Sequence, residues 1–240
     1  MVKKAVLFDL DDTLYDYHYA HDKALNAVYP ILAKKIKISK KKFFVLYNMA
    51  NDEIKNELAG TASSHNRVLY FQRIIEKTHN TVEPKIILKM YKIYWDTFLN
   101  NMKFGKGVMQ TLKKLQEMKI KVAIVTDLTA HIQLRKIEKL KLTKYIDFLV
   151  TSEEAGSEKP NAIMFLLALN KLNVLPSEAI MIGDNLIADI EGANSVKIDS
   201  VAITNKKIKA DKEDYKKPNY VIKTIPEVLE VLKRFELNKK

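Results

Sequence analysis

With 240 residues, the chain has room for one large domain, or for a core domain carrying an insert, and is long enough to bury a core. It has no cysteine, which excludes disulfides and thiolate metal sites and fits a reducing, intracellular setting. The formal charge of +12 is almost all lysine scattered over helix faces (Lys34, Lys35, Lys113, Lys114, Lys136, Lys139), with arginine only at Arg67, Arg73, Arg135 and Arg234. Such a surface draws anionic substrates but lacks the arginine and interleaved aromatics of a nucleic-acid reader, so no nucleic-acid partner is expected. The apolar run Ala5–Phe8 stops at Asp9, too soon for a secretory leader, and no stretch approaches the ~20 apolar residues of a bilayer span. A cytoplasmic protein without a membrane partner is expected.

In chain order, Ala5–Phe8 reads as a strand buried on both faces, ending at once in Asp9, Asp11, Asp12 and Thr13. From about Tyr17 to Met102 the pattern is helical throughout. Leu25, Val28, Tyr29 and Leu32 stripe a first helix; Ser39 caps a second carrying Phe43, Phe44, Tyr47, Ile54 and Leu58. Residues 60–66 form a polar loop, Val68, Phe71 and Ile75 mark a third helix, and Pro84 opens a fourth with Ile87, Tyr91, Tyr94, Trp95 and Phe98. Four helices in succession predict a bundle inserted after the first strand. From Phe104 helices and strands alternate, as in a parallel sheet covered on both faces. Strands are predicted at 121–125, Phe148–Thr151, 179–182, 200–203 and Tyr220–Ile222. Helices are predicted around Val108, Leu112 and Leu115, at 130–140, from Pro160 onward, at 187–193 and at 226–235. The lysine-rich stretch 206–217 reads as a solvated loop. The expected fold is α/β, a doubly wound, Rossmann-like parallel sheet (1–16 and 103–240) with an inserted four-helix cap (17–102).

In open parallel sheets, ligands bind beyond the carboxyl ends of the strands. Those ends are Asp9 and Asp11, then Thr126, then Asp184, with Lys159 in a loop before a helix. Carboxylates packed this closely repel, and call for a cation such as magnesium, which takes oxygen ligands. A phosphate would be met by a hydroxyl, backbone amides and a fixed positive charge. The histidines His18, His21, His65, His79 and His131 have no metal-ligand spacing, so zinc is not expected.

Four segments in order, Asp9-Leu10-Asp11-Asp12-Thr13, Ile124-Val125-Thr126, Glu158-Lys159-Pro160 and Gly183-Asp184-Asn185-Leu186-Ile187-Ala188-Asp189, resemble the motifs of the haloacid dehalogenase superfamily. The insert after the first strand resembles the subclass with a helical cap there. The resemblance implies that Asp9 is a nucleophile forming an aspartyl-phosphate, and that Asp11 is the general acid and then base. It implies Mg2+ held by Asp9, the Asp11 main-chain carbonyl and Asp184, with Asp189 helping through water. It also implies that Thr126 and Lys159 hold the phosphate, while Thr13 braces the loop. Two positions depart from the family pattern. Asp127 stands where asparagine is common, so its side chain would oppose a second phosphate if it met substrate. Lys106-Gly107 replaces Pro-Gly at re-entry into the core and reads as a turn variant.

An acid at Asp11 argues for an oxygen leaving group that needs a proton, unlike a halide. The expected activity is hydrolysis of small phosphorylated metabolites; a phosphomutase of the beta-phosphoglucomutase type and a catalytically silent binding protein remain alternatives. A mutase would need a second phosphate site, and near the expected cap mouth the basic residues are only His18, His21, Lys23 and Arg67. Tyr15, Tyr17, His18, Asn66, Arg67 and Asp127 are candidates for substrate contact. With no evident exposed apolar helix, a monomer or weak homodimer is expected.

Overall fold

The computed structural model describes residues 2–204 and 217–237. The chain divides into two compact units, Met1–Asp16 with Lys103–Lys240, and Tyr17–Met102.

The first unit is built on six parallel strands: β1 (Ala5–Phe8), β2 (Lys121–Thr126), β3 (Phe148–Thr151), β4 (Ala179–Gly183), β5 (Asp199–Ile203) and β6 (Tyr220–Ile222). Their order across the sheet is β3-β2-β1-β4-β5-β6, so the order reverses at β1. Parallel strands need covering helices on both faces, and the sequence of β1 meets that need by being apolar at every position. Ala5 and Leu7 pack with Ala123, Val125 and Met181 against Met164, Phe165, Ala168 and Leu172 of α8 (Ala162–Leu172). The alternate residues Val6, Phe8, Val122, Ile124, Ile180 and Ile182 are equally buried, so the other face is covered as well. The helices α5 (Val108–Glu117) and α6 (Ala130–Lys139) flank β2 in the chain. Two short helices, α7 (Ser152–Ala155) and α9 (Gly192–Ser195), and the closing α10 (Val228–Leu237) complete the unit.

Strand register matters most for function. Phe8 pairs with Ile124 on one side and Ile182 on the other, so β4 runs one residue and β2 two residues past the end of β1. The predicted helix at 187–193 differs: Leu186–Glu191 is a single wide π-helical turn, followed by α9. The polar loop at 60–66 contains a 3-10 turn, Ala62–His65. Of the lysine-rich stretch 206–217, all but Lys217 lies outside the described residues.

The second unit consists of α1 (Tyr17–Ile36), α2 (Lys40–Glu57), α3 (Arg67–His79) and α4 (Pro84–Asn101). Ser39 and Asn66 cap α2 and α3, each side chain accepting from a backbone N–H in the first turn. α1 packs chiefly on α4, and α2 on α3. The interior is rich in rings, with Tyr47, Tyr70, Phe71, Tyr94, Trp95 and Phe98 buried. Arg67, expected at the surface or against substrate, lies inside this unit at 6 % exposure. Its guanidinium donates to the His65 carbonyl at 2.5 Å, to the Tyr17 hydroxyl and, at 3.4 Å, to the Tyr94 hydroxyl. The rings of Tyr17, Tyr70, Tyr94 and Trp95 surround it with centroids at 5.3–6.0 Å. The half-exposed Val68 next to it is the residue that the helical spacing had placed inside. Among the described residues no helix is long and apolar enough to cross a membrane.

His21 joins the same cluster, its Nδ1 lying 2.6 Å from the Tyr94 hydroxyl. Burial, then the charges of Arg67, His18 and Lys55, lower its pKa to about 3. The unfolded imidazole binds a proton near pH 6.5 and the folded one only near pH 3, so this stabilisation is complete above 6.5 and lost as the pH falls. Between pH 7.5 and 5.0 the loss from this group is about 2 kcal/mol. Urea unfolding at the two pH values, compared between the wild type and His21→Gln, should show a drop smaller by that amount in the variant. Equal drops would refute the assignment.

Candidate active site

Asp9 leaves β1 with its N–H bonded to the Ile182 carbonyl of β4 at 2.9 Å, so its side chain stands at the switch point of the sheet. Its Oδ1 accepts from Lys159 Nζ at 2.6 Å and its Oδ2 from the Thr13 hydroxyl at 3.0 Å. The same hydroxyl lies 3.2 Å from Asp184 Oδ1, and its single proton serves one carboxylate at a time. The loop turns at Asp12, which has left-handed backbone (φ 62°), a conformation aspartate tolerates.

Lys159 is buried, and the three protons of its ammonium have three acceptors: Asp9 Oδ1 at 2.6 Å, Asp189 Oδ1 at 2.7 Å and the Val125 carbonyl at 3.0 Å. Its backbone N–H donates to Asp127 Oδ1 at 3.0 Å, so the Asp127 side chain ties the β2 end to the Lys159 loop. Asn161 then caps α8 by accepting from Ile163 N at 3.1 Å.

The π-helical turn places Asp189. Asn185 Oδ1 accepts from the N–H groups of Ile187 and Ala188 at 3.0 Å, and Asp189 Oδ2 accepts from Asn185 N at 3.0 Å. At 1 % exposure Asp189 is no surface acid. Both its oxygens already have donors, which sets it beside Lys159 as well as beside a metal position. Gly183 makes room for it, since a Cβ there would stand 2.2 Å from Asp189 Oδ2.

Burial, aided by the charges of Asp189 and Asp11, raises the Asp9 pKa well above the ordinary carboxylate range, although Lys159 opposes the shift. Asp184 stands at the solvent rim, yet the surrounding chain and the charges of Asp189 and Asp12 push it up to about 6. Burial disfavours the Lys159 ammonium, but Asp189, Asp9 and Asp127 outweigh it and keep the group protonated. Asp9, Asp184 and Asp189 each offer an oxygen, all within 4.8 Å of one another. Oxygens on opposite sides of an octahedral magnesium ion stand ~4 Å apart. The spacing, the all-oxygen donor set and the surplus of carboxylates over the Lys159 charge fit a hard divalent cation.

Thr126 ends β2, and its hydroxyl oxygen accepts from Gln133 Nε2 at 2.8 Å. Its own O–H lies 3.4 Å from the Asp127 carbonyl, a long contact that a phosphate oxygen could replace. Leu128 is held at φ 98°, strained for a branched residue, with its N–H on Ser152 Oγ at 2.8 Å. Asp11 accepts from the Tyr15 hydroxyl at 2.5 Å and from Lys136 Nζ at 2.8 and 2.6 Å.

Several sequence expectations change. Tyr15 is buried with its hydroxyl on Asp11, and Arg67 is enclosed within the helical unit. Asp127 spends a carboxylate oxygen on the Lys159 backbone. Lys136, read as one of the scattered surface lysines, is fully buried, and Gln133 was not singled out at all. The available signal was their place on α6: Gln133 and Lys136 lie between Ile132 and Ile137 along the one buried stripe of that helix.

Gly183→Ala should destabilise the protein by about 1–3 kcal/mol through overpacking against Asp189. It should also reduce any rise in melting temperature brought about by a divalent cation. Thermal unfolding with and without the ion checks both, and an unchanged melting temperature would refute the close packing.

A family model described as haloacid dehalogenase-like hydrolase matches residues 6–203. A ribulose-1,5-bisphosphate 5-phosphatase of Halopiger xanaduensis is 41 % identical over 199 residues, 82 % of this chain and 83 % of that one. A glyceraldehyde 3-phosphate phosphatase of Methanopyrus kandleri is 31 % identical over 235 residues, 96 % of this chain and 97 % of its own. Among solved structures, a HAD phosphatase from Thermococcus onnurineus superposes with a TM-score of 0.76 at 26 % identity, covering 95 % of this chain and 97 % of that one. The motifs therefore sit at the strand ends of a sheet whose sequence and fold both have such relatives, and the chain belongs to the haloacid dehalogenase-like hydrolase family.

Proposed function

We propose that the chain is a magnesium-dependent phosphatase that removes a terminal phosphate from small phosphorylated sugars, through an aspartyl-phosphate on Asp9. The observation that carries the reading is the contact of Asp9 with the Lys159 ammonium at 2.6 Å, two residues from a second acid, Asp11, that is open to solvent. The names of the relatives support the substrate class, since both describe phosphate esters of small sugars.

In the first half-reaction an Asp9 oxygen attacks phosphorus, the phosphorus–oxygen bond to the leaving group breaks, and Asp11 gives its proton to the departing oxygen. In the second, water attacks phosphorus, Asp11 takes the water's proton, and the bond to Asp9 breaks to release inorganic phosphate. Thr126 donates its hydroxyl proton to a phosphate oxygen, and Gln133 keeps that hydroxyl turned by occupying one of its lone pairs. Lys159 holds the nucleophile in place and offsets phosphate charge. Asp9, Asp184 and the Asp11 main-chain carbonyl, with Asp189 behind them, would hold the magnesium ion, which when bound neutralises charge on the phosphoryl oxygens. The helical unit Tyr17–Met102, inserted after the Asp9 loop, is assigned as the cap domain that selects the substrate.

Phosphate release should be measured over ribulose 1,5-bisphosphate, glyceraldehyde 3-phosphate, phosphoglycolate, hexose phosphates and nucleoside monophosphates. At least one sugar phosphate should be hydrolysed, with activity lost on chelation by EDTA and restored by Mg2+. Asp9→Asn, nearly isosteric, should lower turnover by more than about a thousandfold while circular dichroism stays unchanged. Activity retained in that variant would refute the assignment.

A further inference from the structure

The interior of α6 is an unusual place for a lysine. Lys136 is 0 % exposed, on a stripe with Ile132 and Ile137. Its ammonium spans both oxygens of Asp11, at 2.8 and 2.6 Å, and lies 5.9 Å from the centre of the Tyr15 ring, whose hydroxyl donates to the same carboxylate. Removing an ammonium from water costs several kcal/mol, and an apolar side chain of equal volume often serves stability as well or better. Stability alone does not account for the pair. What the contact does is geometric. An aspartate side chain turns about two bonds, and Asp11 is 29 % exposed on a loop, with solvent on one side. Donors from α6 and from Tyr15 on its other side hold the carboxylate in one orientation, two residues from the nucleophile.

We propose that Lys136 is a positioning residue for Asp11, fixing the carboxyl group in line with the oxygen to which it gives its proton. The proposal rests on the phosphatase reading above and extends it to a residue on a different element, which acts only through Asp11. Its effect therefore falls on the proton transfer and scales with how much the leaving group needs that proton. A sugar alkoxide needs it; 2,4-dinitrophenolate, a stable anion, does not.

The test compares kcat/KM, which covers only the steps up to loss of the leaving group, for the best sugar phosphate and for 2,4-dinitrophenyl phosphate. Lys136→Met should lose about a hundredfold or more on the sugar phosphate, the usual weight of general acid catalysis, and less than about fivefold on the dinitrophenyl ester. Added to Asp11→Asn, Lys136→Met should cause no further loss on the sugar phosphate, because a residue acting through Asp11 has nothing left to position. If Lys136→Met does not fold, Lys136→Gln, which keeps an N–H donor, takes its place and should show the same split with a smaller loss. Equal losses on the two esters, or additive losses with Asp11→Asn, would overturn the role of Lys136 while leaving the phosphatase intact. A wild-type protein that cleaves neither ester would instead defeat the underlying reading.

Discussion

The core unit depends on one buried ammonium. Lys159 reaches from the loop before α8 to the ends of β1 and β2 and to the turn after β4, and each of its protons ends on a different one of these segments. Without it, Asp9 and Asp189 would face each other as buried carboxylates with no positive charge between them. The same contact lets two acids share the interior, its positive charge opposing the rise that burial imposes on Asp9.

The strand register makes that contact possible. Parallel pairing sets Phe8 beside Ile124 and Ile182, so Asp9 leaves the carboxyl edge of the sheet within one residue of the level of Thr126 and Asp184. Around them, support comes from a ring of neighbouring groups, of which Thr13 and Gln133 are buried. Thr13 braces Asp9, Asn185 and Gly183 shape the seat of Asp189, Gln133 turns Thr126, and Asp127 anchors the loop that carries Lys159. Functional groups held by locked neighbours need little reorganisation when charge develops in the reaction.

The doubly wound sheet and the order of its strands' chemistry were legible because the central strands are continuous apolar runs ending in acids or hydroxyls. The helices of Tyr17–Met102 were legible because their apolar residues recur every three or four positions. What escaped was polar. Lys136, Gln133 and Arg67 lie inside, and letter patterns sort charged residues outward because an unpaired buried charge is costly. The cost is met by partners distant in the chain, such as Asp11 for Lys136, and one-dimensional spacing does not report them. The π-helical turn at Leu186–Glu191 was missed for a related reason: Leu186 and Ile187 are apolar but exposed, so they suggest an ordinary helix face where the geometry is set by Asn185 and Asp189.

The ring-lined seat of Arg67 bears on how the helical unit can diverge. A guanidinium wedged among Tyr17, Tyr70, Tyr94 and Trp95 cannot be exchanged by itself for an aliphatic residue, since two hydroxyls and a backbone carbonyl would each lose a donor together. Nor can one tyrosine be trimmed without stranding part of the cation. The interior of these helices is therefore open to substitution only in concerted steps.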